Sequence, residues 1–251
     1  MTTAGFEDHF SPQAGQYARY RPHYPRELFG YLASVAPGRE LAWDCGTGNG
    51  QAALGLAGYF DRIIATDASA EQIALAPNHS RIEYRVARSE SAGLETQSAA
   101  LITVAVAVHW FDFDQFYDEV RRTLCRDGLI AVWCYSLPAI DPAIDRTLDR
   151  YLREILASYW PDRFRYIFEQ YRTLPFPLKE LRPPKFTMET FWDLSQILGF
   201  LHSWSGTANY EKQMGSNPID LIRPQLLEAW GPEVRKRILH WNLFLRLGQV
   251  K

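Results

Sequence analysis

A chain of 251 residues with 47% apolar and 22% charged residues has the balance of an ordinary globular protein able to bury a substantial core, which excludes a disordered chain. Its formal charge of -2 gives no electrostatic reason to expect nucleic acid, whose recognition leaves a basic face on the domain. The longest apolar stretch, Ala99 to Val108, is far short of the roughly 20 residues that span a bilayer. No membrane partner is therefore expected, and a small molecule is the default ligand.

The three cysteines, Cys45, Cys125 and Cys134, are odd in number and lack the paired short spacings of zinc sites. Neither a disulfide framework nor a metal is suggested, and a reducing cytoplasm fits. Glu7, Asp8, His9 and Pro12 stand where an export signal would need a basic start and an apolar run, so none is read. No compositional break marks a linker. The expectation is one domain over 1–251, monomeric or homodimeric, with an N-terminal lid at about 1–30, a core at about 31–136, and a helical cap with the last strands at about 137–251.

From Leu41 the chain alternates short apolar runs with helical stretches, the pattern of a parallel α/β sheet covered on both faces. The first strand is Leu41 to Asp44, and a helix begins at about Gly50. The second strand, Ile63 to Asp67, leads to a helix opening at Ser69 and ending near Pro77. A third strand, Ile82 to Ala87, precedes the almost wholly apolar run Ala100 to Val106, expected in the middle of the sheet. Apolar residues at Phe113, Phe116, Val120 and Leu124 make one stripe of a helix. Gly128 turns the chain into a fifth strand, Leu129 to Tyr135. Beyond it, helices are predicted at Pro142 to Ala157, Arg163 to Thr173, Met188 to Leu198 and Pro218 to Trp230. Pro175, Pro177, Pro183 and Pro184 bracket an edge strand, and Leu239 to Leu247 forms the last strand.

Gly46, Gly48 and Gly50 let a ligand approach the backbone at the end of the first strand, and the following helix start favours a ligand carboxylate. A dinucleotide fingerprint G-x-G-x-x-G starting at Gly46 would need a third glycine where Gln51 stands. Asp67, at the end of the second strand, suits the hydroxyls of a ribose and supports a nucleoside ligand without choosing which; its simpler role is a helix cap.

The D-x-G-x-G-x-G arrangement from Asp44 to Gly50 resembles motif I of the class I S-adenosylmethionine-dependent methyltransferases. Tyr17 to Pro25, His109-Trp110-Phe111-Asp112 and Trp204-Ser205 look like marks of the type 11 methyltransferase domain and of relatives of the trans-aconitate methyltransferases. The resemblance implies a Rossmann-like sheet, mostly parallel with an antiparallel last strand, plus a helical cap. It implies S-adenosylmethionine as cofactor, no metal, and methyl transfer to an oxygen or nitrogen, including a carboxylate, of a small molecule. Its expected cofactor contacts are Asp44, Gly46, Thr47, Gly48, Gly50, Asp67, Ala68, Ser89 and Ala105, with Tyr17, Tyr20 and Arg21 from the lid. Where relatives carry an Asp that reaches the adenine, this chain has Arg88, which cannot accept that hydrogen bond. Ser89 is the better contact.

His109 follows the fourth strand at the ligand-binding edge and is the candidate catalytic base; lining the pocket or a structural role are its other readings. Trp110, Tyr24 and Trp204 are expected with it around the acceptor, and Tyr159, Trp160, Phe164 and Tyr166 are candidates from the cap. Arg19, Arg21 and Arg26 suit a carboxylate, which guanidinium pairs bidentately. Cys45 is read as a small packing residue. A nicotinamide-dependent oxidoreductase and a non-catalytic S-adenosylmethionine-binding module remain as alternatives.

Overall fold

The computed structural model describes residues 20–250. Tyr17, Arg19 and most of the expected lid lie outside them. Five strands, β1 (Leu41–Cys45), β2 (Arg62–Asp67), β3 (Ile82–Val86), β4 (Ala99–Ala105) and β5 (Leu124–Tyr135), pair in parallel in the order β3-β2-β1-β4-β5. The order reverses between β1 and β4, and a crevice opens there beyond the strands' carboxyl ends. The last strand, β8 (Arg237–Gln249), pairs antiparallel with β5, with β6 (Lys179–Leu181) and with β7 (Phe186–Trp192).

Strand residues alternate between two cores. Ala42, Ile63, Ala65, Leu101, Ala131 and Trp133 face helices α1 (Arg26–Val35) and α2 (Gln51–Leu56). Trp43, Ile64, Ile102, Val104 and Val132 face Phe116, Tyr117 and Val120 of α4 (Phe113–Thr123), which follows the short α3 (Ala70–Ala74). Burial on both faces is what the apolar run of β4 requires. Ser69 caps α3, its hydroxyl accepting from the Gln72 amide at 3.2 Å.

The cap departs from the sequence reading in four places. Pro142 to Ala157 is α-helical only as α5 (Pro142–Arg150); Tyr151–Ile155 then widens into a π turn, the Leu156 amide reaching the Tyr151 carbonyl. Arg163 to Thr173 holds the end of a 3₁₀ turn (Asp162–Phe164) and the single turn α6 (Arg165–Phe168), and stops being helical where Gln170 and Tyr171 take left-handed φ values of 58° and 59°. Met188 to Leu198 is not one helix: β7 occupies Phe186–Trp192, and α7 (Leu194–His202) starts only after Asp193. Phe186, Met188 and Trp192 point inward while Thr187, Glu189 and Phe191 do not, an alternation of period two suited to these β-branched and aromatic residues. Pro218 to Trp230 splits into a 3₁₀ turn at Pro218–Leu221 and α9 (Arg223–Trp230), with Pro224 in the first turn of α9. Two helices absent from that reading, α1 and α8 (Ser205–Met214), complete the chain.

The strand ends shift as well. β5 begins at Leu124 rather than Leu129, and its register slips where Asp127 adopts φ 60°, a bulge ahead of Gly128. Among the described residues no helix is long and apolar enough to cross a membrane.

Candidate active site

The loop after β1 is built so closely that side chains are excluded from it. Gly46 has φ 66°, and a Cβ there would lie 2.6 Å from the Ala107 Cβ and 3.1 Å from the Phe111 ring. Gly50 has φ 88° and lies under the Tyr84 hydroxyl. Glycine is thus required twice over, by backbone conformation and by space. α2 behind the loop has six residues, so its dipole adds less than a long helix would.

Asp44 is fully buried behind the loop, accepting hydrogen bonds from the Thr47 hydroxyl at 2.5 Å and the Thr103 hydroxyl at 2.7 Å. Burial pushes its carboxyl up to about 6, against the opposing pull of those two hydroxyls. It braces the loop from beneath, so a ligand over the glycines meets Thr47 and the backbone before it meets Asp44. Asp67 joins the loop to α3, accepting from the Gly48 amide at 2.8 Å and from the Ser69 amide at 2.9 Å. The cap of α3 is Ser69, which leaves Asp67 half-buried at the strand end as a loop organiser.

Ala68 and Ala105 are half-buried at the ends of β2 and β4, and Ser89 is buried just past β3. Arg88 is exposed and paired with Glu90 at 3.1 Å, a surface charge. Burial drives the Cys45 thiol far above its usual range, which removes it as a nucleophile.

Beyond the carboxyl ends of β4 and β5 lies a cavity open to solvent and walled by Trp110, Trp160, Phe164, Phe168, Phe200 and Trp204. Among the described residues its polar groups come from Arg21, His109, Tyr135, Ser136, Ser203 and Ser205. Val106 also lines it and adopts φ 54°, a strained conformation for a β-branched residue that turns the chain sharply off β4. That turn puts Val106 and His109 on the cavity while neighbouring Ala107 and Phe111 touch the glycine loop.

His109 is buried, and its Nδ1 is 2.9 Å from the Tyr171 hydroxyl. Burial, with a smaller contribution from the Arg163 charge, lowers its pKa to about 3. A ring so reluctant to accept a proton is a neutral wall of the cavity at physiological pH.

Of the residues expected around the acceptor, His109, Trp110, Trp204, Trp160 and Phe164 come together on the cavity. Tyr24 does not; its ring packs edge-on against Trp133 at 5.4 Å and belongs to the core. Tyr166 packs on Phe113 and Tyr159 on Tyr210, away from the lining. Of the lid residues expected at the cofactor, Tyr20 and Arg21 are described. The Tyr20 ring covers Gly199 of α7 and borders a second cleft with His202 and Arg223. Arg21 lines the aromatic cavity, donating to the Tyr135 hydroxyl at 3.3 Å and standing over the Phe200 ring. Tyr135, Phe168, Phe200 and Ser203 escaped the sequence reading; Tyr135, ending the strand beside β4, was the one with a positional signal. Among the described residues no group of His, Cys, Asp or Glu could hold a metal ion.

A family model described as a methyltransferase domain matches residues 43–132. A methyltransferase-family protein of Dictyostelium discoideum is 31% identical over 233 residues, covering 91% of this chain and 89% of its own length. CRG1 of Saccharomyces cerevisiae, named for S-adenosylmethionine-dependent methyl transfer, is 22% identical over 242 residues, covering 82% of this chain and 83% of its own. Among solved structures, a type II methyltransferase-family protein of Anaeromyxobacter dehalogenans is similar with a TM-score of 0.85 and 40% identity, over 92% of this chain and 98% of that one.

Proposed function

Because the chain belongs to the class I S-adenosylmethionine-dependent methyltransferases, we propose that it methylates an oxygen or nitrogen of a small molecule whose apolar body fills the aromatic cavity. The observation that carries this reading is the shared segment between the two halves of the site. Val106 and His109 face the cavity while Ala107 and Phe111 touch Gly46 of the cofactor loop, so an acceptor in the cavity lies beside that loop.

Gly46, Thr47, Gly48 and Gly50, with Asp67, Ala68, Ser89 and Ala105, would hold S-adenosylmethionine, and the loop backbone is open to it at Gly48, where a Cβ would meet nothing nearer than Gln72 Oε1 at 3.7 Å. The bound cofactor supplies an activated methyl group on a sulfonium. The chain's own task is to align the acceptor and exclude water, and such positioning is worth up to roughly 7 to 11 kcal/mol. Trp110, Trp160 and Trp204 give the acceptor apolar walls. Among the described residues Arg21 is the one formally charged residue on the cavity lining, and it suits an acceptor oxyanion, a carboxylate included. His109 has too low a pKa to serve as a proton acceptor at neutral pH, so it acts as a hydrogen-bonding wall.

The test is transfer of labelled methyl from S-adenosylmethionine to fractionated small metabolites, with the product identified. A product methylated on oxygen or nitrogen, whose unmethylated parent is competed out by aromatic ligands of the cavity, supports the reading. Tight cofactor binding with no transfer to any fraction would replace it with a non-catalytic binding module.

A further inference from the structure

His109 has an unused side. Its Nδ1 is engaged by Tyr171, while its Nε2 is buried with no hydrogen-bond partner among the described residues, in a ring that lines the aromatic cavity. The protein takes some trouble to bring Tyr171 there. Gln170 and Tyr171 both adopt left-handed backbone conformations, uncommon for residues with a Cβ. The turn is held by Arg246 of β8, whose guanidinium donates to the Tyr171 carbonyl at 3.0 Å and the Leu174 carbonyl at 2.7 Å. On the other side Arg163 donates to the His109 carbonyl at 3.3 Å and the Phe111 carbonyl at 2.6 Å. Trp110 and Phe164 pack against the imidazole with centroids 5.0 and 5.5 Å away, so ring and backbone are both fixed.

A neutral imidazole has one nitrogen that donates and one that accepts, and the partner of the first decides what the second can do. A phenol is a better donor than acceptor, because its lone pairs are delocalised into the ring. Tyr171 therefore donates to Nδ1, and the proton of the imidazole stays on Nε2. We propose that Tyr171 is a positioning residue that locks His109 as the Nε2–H tautomer, so that the ring donates a hydrogen bond to an oxygen atom of the methyl acceptor. This rests on the cavity being the acceptor site. It narrows the acceptor to molecules that present an oxygen lone pair at that wall, since the Arg21 guanidinium on the same cavity is also donor-only.

The experiment is ¹⁵N NMR of the histidine rings in the whole protein at pH 7, with His109 assigned from His109→Gln and with benzoate and benzylamine as probes. Benzoate offers oxygen acceptors on a flat ring, whereas benzylamine offers only donors. The expected result is an Nε2–H tautomer in the wild type, a mixture of tautomers in Tyr171→Phe, and an Nε2 shift on adding benzoate but not benzylamine. Benzoate should bind about fivefold more weakly to Tyr171→Phe and His109→Phe, the loss of one ordinary hydrogen bond. His109→Gln should restore it, because the Gln amide nitrogen reaches about as far as Nε2. An Nδ1–H tautomer in the wild type, an unchanged tautomer in Tyr171→Phe, or no response of His109 to benzoate would each overturn the assignment. These readouts need no turnover, so failure of methyl transfer and failure of the tautomer lock give different results.

Discussion

Two buried titratable residues, Asp44 and His109, pull the acid stability of the protein in opposite directions. Asp44 titrates at about 6 in the folded chain against 3.8 for an ordinary Asp. Between these values the folded state keeps a proton that the unfolded state has lost, so stability falls as pH rises through the window, by about 3 kcal/mol in total. His109 titrates at about 3 against 6.5. There the unfolded state takes up the proton first, so stability present above pH 6.5 is lost as pH drops towards 3, by up to about 5 kcal/mol. Denaturant melts between pH 4 and 7 should show a flatter acid limb for His109→Phe and a steeper one for Asp44→Asn. A flatter limb for Asp44→Asn would mean that its carboxylate is stabilised, not strained, by the loop. Asp67 is exposed enough to meet a ligand while holding the Gly48 and Ser69 amides. Calorimetry should find S-adenosylmethionine bound roughly ten- to a hundredfold more weakly by Asp67→Ala, as charged hydrogen bonds of about 1.5 to 3 kcal/mol are lost. Equal affinity would take Asp67 out of the cofactor site.

Among the elements, the five parallel strands were legible in the sequence because they carried local signals, such as glycines that must be glycine, an acid at a strand end and a strand apolar on both faces, whereas α1, which packs on them, was not. The elements of the cap were not legible either, since their shapes are settled by tertiary contacts. The single turn α6 ends where Tyr171 is drawn towards His109 and Arg246, and the π turn at Tyr151–Ile155 brings Tyr151 to the Thr207 hydroxyl at 2.8 Å. β7 was missed because its apolar positions at Phe186, Met188 and Trp192 could be read into the helix beyond. What separates the two elements is Asp193, whose carboxylate accepts from the Gln196 amide at 3.1 Å while the Gln196 side chain accepts from the Asp193 amide at 3.1 Å. This reciprocal cap starts α7, the helix that brings Phe200 to the cavity. Asp193→Ala should cost about 0.5 to 2 kcal/mol and lower the melting temperature by about 2 to 4 °C per kcal/mol. Cofactor affinity should not change, because α7 does not touch the glycine loop. A melting temperature equal to the wild type would show that α7 is held by burial of Leu194, Ile197 and Phe200 alone.

On the scale of the whole molecule, the cofactor loop and the cavity belong to different parts of the chain and, among the described residues, meet across Val106 to Phe111. The loop is framed by β1, β2 and β4, all in the core that the sequence made plain. The cavity is closed by a sheaf of aromatic rings from the cap, with Trp160 at its centre. Its ring stacks on Phe164 at 4.7 Å and meets Trp204 and Phe168 at 5.6 Å each, and its indole N–H donates to the Leu152 carbonyl at 3.0 Å. Gly206 of α8 leaves room for it, since a Cβ there would lie 3.0 Å from the indole. One residue thus ties together the π turn, the segment before α6 and the start of α8, none of which the cofactor loop uses. Trp160→Ala should lower stability by up to about 3 to 5 kcal/mol, less where the half-buried ring already meets water. It should raise the KM of the acceptor at least tenfold, because the apolar wall collapses. The affinity for S-adenosylmethionine should stay within about twofold. The cofactor should therefore still raise the melting temperature of the variant, by about 2.7 kcal/mol of added stability at a hundred times its Kd, as it does for the wild type. If cofactor affinity fell together with acceptor affinity, the cap and the loop would be one cooperative site, and the division of labour between core and cap would be wrong.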